Sequence, residues 1–506
     1  MTTLHSPKCW SIGELFANEK IELSSSCLSV SGLCQDSRLV KQGDLFFALP
    51  GKKTNGMLHV DEALRKGAVG IVVDKAWRGN TSDFSAPVIR VSDLYSKVSQ
   101  IASTFYENPS KKIRTIATTG TNGKTSCCWL LSDLLTRLGK KSAYLGTLGC
   151  VIGGSRADGM SASEVIKTSL TTPDAITIQA ILKSLSNAGV SSVALEVSSH
   201  ALAQKRIDAV SVDTAIFTNL SRDHLDYHGD MKSYGASKTL LFQKPELQTI
   251  IINIDDDFSA VLAGKIASHK QIYRYSLDNN KADIYCTSIE LDPLGVTAEV
   301  VTPWGRGTIK SSLVGQFNLS NLLAVLAAAA TKMPLSDVLG AIPLIQAPTG
   351  RMELINMESV PGVVVDYAHT PDALEKVLIT LRAHSIGKLW VVFGCGGERD
   401  IGKRSKMGAI AERYTDRVVL TSDNPRGEPE DQIIAQIKRG MLGKAIIKTD
   451  RRDAIRHAIF SAASDDLVLI AGKGHEDFQH VASGQLPFSD QYQVRSALLD
   501  RQDGVR

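Results

Sequence analysis

The chain of 506 residues is long enough for about three globular domains, each with its own core. Its 43% hydrophobic and 22% charged residues are typical of globular proteins and argue against fibrous, disordered and membrane-embedded classes. The 57 basic and 53 acidic residues give a net charge of only +4, and 6% of the residues are aromatic, so nucleic-acid binding is not favoured.

Cysteine usage and the first residues predict the cellular compartment. The 8 cysteines are scattered, with no C-x-x-C pair and no zinc spacing, which is typical of free thiols in a reducing cytosol. The amino-terminal segment lacks the apolar run of a signal peptide, and no stretch of about 18 apolar residues occurs. We therefore predict a cytoplasmic protein that binds small molecules rather than nucleic acid or a membrane, and we expect a monomer.

Short β-rich runs alternate with helical patterns along most of the chain. The predicted strands cover 113–120, 192–198, 213–220, 249–255, 363–368, 389–397, 417–423 and 466–474. This alternation predicts an α/β fold built from βαβ units with largely parallel sheets. Most of the runs end in Gly, Ser, Thr, Asp or Asn, and open α/β sheets bind their ligands at the carboxyl ends of the strands.

Two segments rich in turn-forming residues divide the chain. Residues 106–112 carry Asn-Pro and a lysine pair, and residues 342–351 carry two prolines and a glycine. We therefore predict three domains, at 1–110, 111–346 and 347–506, all of ordinary domain size.

The sharpest local signal is a glycine-rich loop between an apolar run and a helical pattern. It reads Thr119-Gly120-Thr121-Asn122-Gly123-Lys124-Thr125-Ser126. Glycines let backbone N–H groups surround phosphate oxygens, Lys124 can reach the β and γ phosphates, and Thr125 can ligate Mg²⁺. Thr118 stands where the general motif has its first glycine, so an ordinary βα turn is the alternative. The order of strand, loop and helix favours an ATP-binding P-loop.

A series of short motifs accompanies this loop. They are Leu170-Thr171-Thr172-Pro173, Glu196-Val197-Ser198-Ser199-His200, Asn219-Leu220-Ser221-Arg222-Asp223-His224-Leu225-Asp226, Lys238, Phe317-Asn318-Leu319-Ser320-Asn321, Gly350-Arg351-Met352-Glu353, Asp366-Tyr367-Ala368-His369-Thr370-Pro371, Asp423-Asn424-Pro425-Arg426 and Gly472-Lys473-Gly474-His475-Glu476. In this order, from about Asp36 to Glu476, they resemble the Mur ligases, the ATP-dependent amide-forming enzymes of peptidoglycan assembly.

The resemblance implies a domain for each substrate and a reaction. The first domain would bind the uridine nucleotide, the central P-loop domain ATP, and the Rossmann-like third domain the incoming amino acid. ATP would phosphorylate the D-glutamate carboxylate of UDP-N-acetylmuramoyl-L-alanyl-D-glutamate, and the amine of meso-diaminopimelate would attack the acyl phosphate.

The resemblance also assigns catalytic and metal-binding residues. Thr125, Glu196 and His224 would hold Mg²⁺, with Lys124 on the phosphates. Lys238 would be carbamylated by CO₂ and become an anionic ligand. Taken alone, Glu196 could instead cap a helix, His224 could be a core histidine, and Lys238 could be a solvated helix lysine.

The resemblance distributes the remaining residues over three substrates. For the UDP-sugar dipeptide they are Gln35, Ser37, Lys52, Lys53, Thr54, Thr171, Thr172, Ser198, Gln204 and Arg206. For ATP they are the loop residues 120–126 with Asn318, Arg351, Asp366 and His369. For diaminopimelate they are Arg399, Asp423, Asn424, Pro425, Arg426, Gly472 and Glu476.

Some positions leave alternatives open. Leu170 stands where relatives often carry asparagine, and Gln35 where leucine is common, so each puts one contact in doubt. Residues 52–54 could be an exposed basic turn, and Asn321 could only brace its turn.

Three other activities compete with addition of diaminopimelate. The amino acid could be L-lysine, which lacks the distal carboxylate that a guanidinium such as that of Arg426 would bind. A folylpolyglutamate synthetase shares the P-loop and the overall plan, but the amino-terminal segment and the Asp-Asn-Pro-Arg motif argue against it. A nucleotide-gated ATPase would need no amino-acid pocket.

Overall fold

The computed structural model describes residues 9–17, 28–50, 55–153, 165–166, 168, 170–292 and 295–504. The chain forms two compact units, Met1–Arg274 and Tyr275–Arg506. The division at Arg274 falls inside the predicted central domain, and the boundaries drawn from the sequence stay a prediction. Across the described ranges, no helix has the length and apolar character needed to cross a membrane.

A four-stranded parallel sheet begins the first unit. The elements up to residue 105 are β1 (Trp10–Ser11), α1 (Ile12–Leu15), β2 (Ser29–Val30), β3 (Gly32–Cys34), β4 (Asp44–Phe47), α2 (Val60–Arg65), β5 (Gly70–Asp74), β6 (Val88–Val91) and α3 (Leu94–Phe105). The sheet order is β3-β4-β5-β6, and β1 pairs with β2 separately. Since side chains alternate along a strand, Leu45 and Phe47 enter one core while Phe46 enters the core on the opposite face.

A larger, mainly parallel sheet follows in the same unit. Its elements are β7 (Arg114–Thr119), α4 (Lys124–Arg137), β8 (Ser142–Gly146), β9 (Gly149–Ile152), β10 (Val165–Ile166), α5 (Ala175–Asn187), β11 (Ser192–Glu196), α6 (Ser199–Ala203), β12 (Thr214–Phe217), α7 (Leu225–His228), α8 (Met231–Thr239), β13 (Thr249–Asn253), α9 (Phe258–Ala263) and β14 (Gln271–Ser276). The strand order is β10-β9-β8-β11-β7-β12-β13-β14. Strands β8, β11, β7, β12 and β13 are parallel, so the loops that follow them meet at one edge.

The second unit starts with antiparallel strands and a buried helix. Strands β15 (Ile284–Asp292), β16 (Gly295–Thr302) and β17 (Gly305–Ser311) form an antiparallel meander, followed by α10 (Gln316–Ala330) and α11 (Leu335–Ala341). Residues 322–330 of α10 are all buried, as their continuous apolar run predicts.

A doubly wound sheet completes the second unit. Its elements are β18 (Glu353–Ile355), β19 (Gly362–Asp366), α12 (Pro371–His384), β20 (Leu389–Phe393), α13 (Gly402–Tyr414), β21 (Arg417–Leu420), α14 (Glu430–Lys438), β22 (Ile446–Ile447), α15 (Arg451–Ser461), β23 (Leu467–Ala471), β24 (Phe478–Val481), β25 (Gly484–Pro487) and α16 (Asp490–Gln502). The order is β18-β19-β23-β20-β21-β22, parallel except for β18, and β24 and β25 form a separate hairpin. Alternating residues enter two cores, with α12, α13 and α14 on one face and α15 and α16 on the other.

Short 3₁₀ helices connect several elements, at Ser37–Leu39, Gly56–His59, Thr81–Asp83, Pro109–Lys111, Leu240–Gln243 and Ile342–Leu344. All eight strands predicted from the sequence are present, and the predicted α/β class is confirmed. The strands end earlier than predicted, because their last polar and glycine residues lie in the loops at the carboxyl edges.

Candidate active site

The loop after β7 leads directly into α4, as the motif predicts. Gly123 has φ of 84°, the left-handed conformation that glycine tolerates, and it precedes the first residue of the helix. Gly120 has no room for a side chain, because a Cβ would lie 1.9 Å from Oγ1 of Thr218. The N–H groups of Thr121 and Asn122 donate to the backbone and side-chain oxygens of Asn219, at 2.9 Å each. The loop is therefore held in shape by the loop after β12.

Two lysines converge on one carbonyl of this loop. Nζ of Lys124 donates to the oxygens of Gly120 and Thr121, at 2.9 and 2.8 Å, and Nζ of Lys238 donates to the same Gly120 oxygen at 2.7 Å. Only 1% of Lys238 is exposed. Burial, and then the nearby charge of Lys124, lower the pKa of Lys238 well below its ordinary value. Lys238 is therefore not a solvated helix lysine.

Glu196 is a fully buried carboxylate at the end of β11. Its Oε2 accepts hydrogen bonds from the hydroxyls of Thr125 and Thr147, at 3.0 and 3.2 Å. Its Oε1 accepts from the N–H of Thr147 at 3.0 Å and from the hydroxyl of Tyr144. These contacts tie the carboxylate to the P-loop helix and to the loop after β8, so a role in capping a helix is excluded.

His224 lies in the loop after β12 and its side chain is 44% exposed, so it is not a core histidine. Its backbone is left-handed, with φ of 53°, and its Nε2 lies 3.4 Å from Oδ2 of Asp223. The ring of His200 packs edge-on against it, with centroids 4.7 Å apart. Burial and the neighbouring histidines lower the pKa of His200 to about 4, so this second ring is neutral at physiological pH.

The predicted UDP-sugar residues meet in the first unit. Gln35, Leu170, Gln204 and Arg206 line a small cleft of about 90 Å³. Arg206 donates to Oε1 of Gln204 and, at 2.7 Å, to the carbonyl of Thr172. Leu170, which replaces a frequent asparagine, thus places an apolar side chain on the wall of the cleft.

The Thr172 hydroxyl connects this cleft to Glu196. It donates to the Glu196 carbonyl at 2.9 Å and accepts from the N–H of Ser198 at 3.0 Å. Thr171 accepts a hydrogen bond from Thr147, which also contacts Glu196. Hydrogen bonds therefore connect Thr171, Thr172, Ser198 and Arg206 of the predicted sugar-binding set to Glu196 and Thr125 of the predicted metal-binding set.

Of the remaining predicted UDP-sugar residues, the structure describes Ser37. The Ser37 hydroxyl is buried and donates to Glu62 at 2.6 Å. Lys52, Lys53 and Thr54 lie outside the described residues.

The nucleotide residues of the second unit surround the loop after β19. Asp366 accepts from the N–H groups of Met352 and Ala368, at 2.8 Å each, and burial raises its pKa despite these bonds. The Arg351 guanidinium packs over the ring of Tyr367 at 4.8 Å. His369 is exposed and its Nδ1 lies 2.9 Å from the Tyr367 carbonyl.

The start of α10 contributes two buried asparagines to the second unit. Asn318 donates to the Val314 carbonyl at 2.8 Å, while Asn321 lies 3.4 Å from the Asn318 side-chain oxygen. Val314 and Met352 belong to the same core, which brings the start of α10 to the loop of Arg351.

The predicted amino-acid residues lie at the carboxyl edge of the second sheet. Asn424 donates to Oε2 of Glu476 at 2.9 Å. Asp423 packs closely against Gly472, where a Cβ would lie only 2.5 Å from Oδ2 of Asp423. The loops after β21 and β23, distant in sequence, therefore contact each other at this edge, and we call the region between them the amino-acid pocket.

Two arginines stand beside this pocket. Nη1 of Arg426 donates to the carbonyls of Gly397 and Asn424, at 2.9 and 3.3 Å. A Cβ on Gly396 would lie 3.0 Å from that Nη1 and 3.6 Å from Cγ of the exposed Arg399, so the two arginines flank this glycine. The Pro425 carbonyl packs against Gly397, where a Cβ would meet it at 1.9 Å.

Sequence reasoning missed Tyr144 and Thr147, which together supply three of the hydrogen bonds to Glu196. Thr147 follows Gly146, where a Cβ would lie 2.2 Å from the Glu196 carboxylate. The Gly-Thr pair at the end of β8 was the available signal, but β8 itself was not among the predicted strands, and nothing in the local pattern distinguishes Tyr144 from other strand residues.

Comparisons with known proteins match this arrangement. The Mur ligase family catalytic domain matches residues 29–106, the Mur ligase middle domain residues 118–329, and the glutamate ligase domain of Mur ligases residues 350–474. UDP-N-acetylmuramoyl-L-alanyl-D-glutamate–2,6-diaminopimelate ligase of Pseudomonas aeruginosa is 46% identical over 474 residues, or 93% of this chain and 95% of that protein. The enzyme of the same name from Ectopseudomonas mendocina is 43% identical, covering 95% and 97%.

A solved structure of a UDP-N-acetylmuramoyl-L-alanyl-D-glutamate–2,6-diaminopimelate ligase has a TM-score of 0.74, with 33% identity over 98% of this chain and 99% of that one. The chain therefore belongs to the Mur ligase family, with the three-domain architecture of that family. It is an ATP-dependent ligase that forms an amide bond.

Proposed function

We propose that the chain adds meso-2,6-diaminopimelate to the D-glutamate of UDP-N-acetylmuramoyl-L-alanyl-D-glutamate, a step of peptidoglycan synthesis. The observation that carries this proposal is that the Arg426 guanidinium and the Glu476 carboxylate both contact Asn424, which places the two charges near each other. Diaminopimelate ends in an ammonium and a carboxylate on the same carbon, and these two groups match it in charge. Both relatives described above carry this activity in their names.

The chemistry requires an activated carboxylate. A carboxylate oxygen of D-glutamate attacks the γ phosphorus of ATP, and ADP leaves. The amine then attacks the acyl carbon, phosphate leaves, and the nitrogen loses a proton as the amide forms. In the first unit, Lys124 is the P-loop cation suited to the phosphate charge that develops in the first step.

The residues around Glu196 fit a magnesium ion. Thr125, Glu196, His224 and carbamylated Lys238 would hold it, with the hydroxyl of Thr125 already 3.0 Å from Oε2 of Glu196. No cluster of three or more acidic, histidine or cysteine side chains forms a metal cage within the described ranges. Magnesium suits a site with few acidic side chains, because it usually binds one or two carboxylates together with waters and substrate phosphates. The ion would offset the repulsion between ATP and the carboxylate.

Carbamylation of Lys238 is supported by its burial and lowered pKa, because only a neutral amine attacks CO₂. We expect Lys238→Ala to abolish most turnover, with partial recovery in the presence of small carboxylates such as formate. Lys232 lies in the same helix, α8, but is exposed, so Lys232→Ala is the matched control. Near-normal activity of Lys238→Ala without added carboxylate would refute the role of Lys238 as a metal ligand.

The polar lining of the cleft in the first unit suits one part of the UDP-sugar dipeptide. Arg206 supplies a cation on the wall that Gln35 and Gln204 share, and Lys52, Lys53 and Thr54 would add contacts to the phosphates. The hydrogen bonds from Arg206 through Thr172 to the end of β11 lead from this cleft to Glu196. The carboxylate to be phosphorylated would thus approach the metal-binding residues.

Amino-acid specificity tests the proposal directly. Phosphate release and formation of the amide product are measured with meso-diaminopimelate and with L-lysine. A site built for a polar group rejects an analogue that lacks it, often by about 10⁴-fold, so diaminopimelate should be strongly preferred. Arg426→Met should lower kcat/KM for diaminopimelate and leave the weak activity with lysine unchanged.

Each other outcome identifies a competing function. Equal or greater turnover with lysine would refute the choice of diaminopimelate. ATP hydrolysis without any ligated product would favour a nucleotide-gated ATPase.

A further inference from the structure

Lys473 is a fully buried cation beside the amino-acid pocket, in the loop after β23. A buried ammonium is unfavourable unless each of its N–H groups is bonded. Nζ of Lys473 has three acceptors: Oδ1 of Asn424 at 3.1 Å, Oε2 of Glu476 at 3.1 Å and the carbonyl of Phe478 at 2.5 Å. The ammonium is thus saturated by protein groups, and two of them are side chains assigned to the amino acid.

The first consequence concerns the Glu476 carboxylate. Its Oε2 accepts from both Lys473 and Asn424, whereas its Oε1 accepts no hydrogen bond from the described part of the chain. Burial alone would raise the pKa of Glu476, but the hydrogen bonds from Asn424 and Lys473 hold that pKa below its usual value. The carboxylate is ionised and oriented, with one oxygen left to receive a donor.

The second consequence concerns Arg426 on the neighbouring loop. Phe478, which accepts from Lys473, begins the hairpin β24–β25. His480 in this hairpin donates its N–H to Oδ1 of Asn424 at 2.8 Å, and its carbonyl accepts from the N–H of Arg426 at 3.0 Å. Arg426 has φ of 53°, an uncommon conformation for a residue with a side chain, and this hairpin contact holds it there.

We propose that Lys473 is a positioning residue for the incoming diamino acid. It contacts no substrate. It holds Glu476 toward the substrate ammonium and, through Asn424 and the hairpin, holds Arg426 toward the distal carboxylate. Lys473 therefore sets the affinity for an amino acid whose side chain ends in an ammonium and a carboxylate. This inference rests on the proposed function.

The test compares Lys473→Met and Lys473→Gln with a control, Lys388→Met. Lys388 is an exposed lysine directly before β20 in the same sheet. The KM values for meso-diaminopimelate, ATP and the UDP-substrate are measured separately, together with the melting temperature. We expect the KM for diaminopimelate to rise about tenfold or more, equivalent to about 1.4 kcal/mol. The other two KM values should change less than twofold, and Lys388→Met should behave as the unmodified enzyme.

A double-mutant comparison keeps the inference testable if Lys473→Met folds poorly. Because Lys473 acts on the ammonium through Glu476, Lys473→Gln combined with Glu476→Gln should raise KM by much less than the product of the two single effects. In Lys473→Gln the acid limb of kcat/KM for diaminopimelate should also move to higher pH.

Two results would overturn the inference. One is an unchanged KM for diaminopimelate in a folded Lys473 variant. The other is a parallel rise of all three KM values with a lower melting temperature, which indicates a structural role alone. Failure of the unmodified enzyme to ligate diaminopimelate would refute the proposed function instead, and the two failures are therefore distinct.

Discussion

The ion pair of Arg451 and Asp490 lies wholly inside the carboxyl-terminal sheet domain, with both side chains 0% exposed. Nε and Nη2 of Arg451 donate to the two carboxylate oxygens, each at 2.7 Å. The same guanidinium donates to the carbonyls of Ser422 and Ala471, at 3.3 and 3.0 Å. Arg451→Met would leave a buried carboxylate without its partner, and breaking a buried pair in this way costs about 3–5 kcal/mol.

The expected change is large enough to measure by thermal unfolding. For a unit of this size, 1 kcal/mol corresponds to about 2–4 °C in Tm, so Arg451→Met should lower the Tm of this domain by roughly 6–20 °C. Replacing both charges, as in Arg451→Met with Asp490→Asn, should recover at least half of that loss, because no buried charge then remains unpaired. A Tm of Arg451→Met within about 2 °C of the native value would refute this reasoning.

The same substitution should also affect the amino-acid pocket. The carbonyls of Ser422 and Ala471 immediately precede Asp423 and Gly472, so losing their donor loosens both loops. We expect Arg451→Met to raise the KM for the amino acid even below the melting transition. A double variant as unstable as the single one would show that the carbonyl contacts, and not the unpaired charge, dominate the loss.

Four further substitutions test separate parts of the structure. Gly350→Ala should destabilise the second unit by about 1–3 kcal/mol, because the φ of Gly350 is 67° and a Cβ would lie 2.2 Å from backbone atoms of a neighbouring loop. Gly340 lies on a helix with open space around its Cα, so Gly340→Ala should stabilise the unit by about 0.5–1 kcal/mol. Both changes are measured in the same denaturation assay. Tyr144→Phe removes a hydrogen bond to a buried carboxylate and should lower the free energy of unfolding by about 1.5–3 kcal/mol, measured with denaturant; no change would mean that the remaining donors suffice. The hydrogen bonds from Arg404 lower the pKa of Glu428 from 4.5 to about 2, so this pair stabilises the fold fully above pH 4.5 and progressively less as the pH falls toward 2. The Tm difference between the native chain and Glu428→Gln should therefore narrow over that range, and a difference independent of pH would contradict the assignment.

The elements that could be predicted from the sequence are those whose signals lie in consecutive residues. The P-loop was recognisable because its strand, glycines and helix are consecutive, and the strands were recognisable from their apolar runs ending in polar residues. Helix α10 was predicted as core because its apolar residues are continuous. The antiparallel meander β15–β17 was not predicted, because its alternating pattern lacks such runs.

The contacts that could not be predicted from the sequence join residues that are distant along the chain. Tyr144 meets Glu196 across 52 positions only because β8 and β11 are neighbours in the sheet. Lys473, between two glycines, has the sequence context of an exposed loop residue, yet it is fully buried and its ammonium donates to the carbonyl of Phe478, the first residue of the hairpin β24–β25. Both partnerships follow from strand order, which no short motif carries.

The arrangement of the second sheet also bears on how this enzyme could change its substrate. Strands β19, β20, β21 and β23 contribute buried apolar residues to the cores, whereas the amino-acid residues lie in the loops beyond their ends. Exchange of a single loop can therefore alter which amino acid is accepted without altering the packing that keeps the domain folded. Such a domain is suited to diversification, and a chimaera that exchanges residues 423–427, which leaves the contacts of Ser422 and Glu428 in place, should retain its fold while acquiring a new preference.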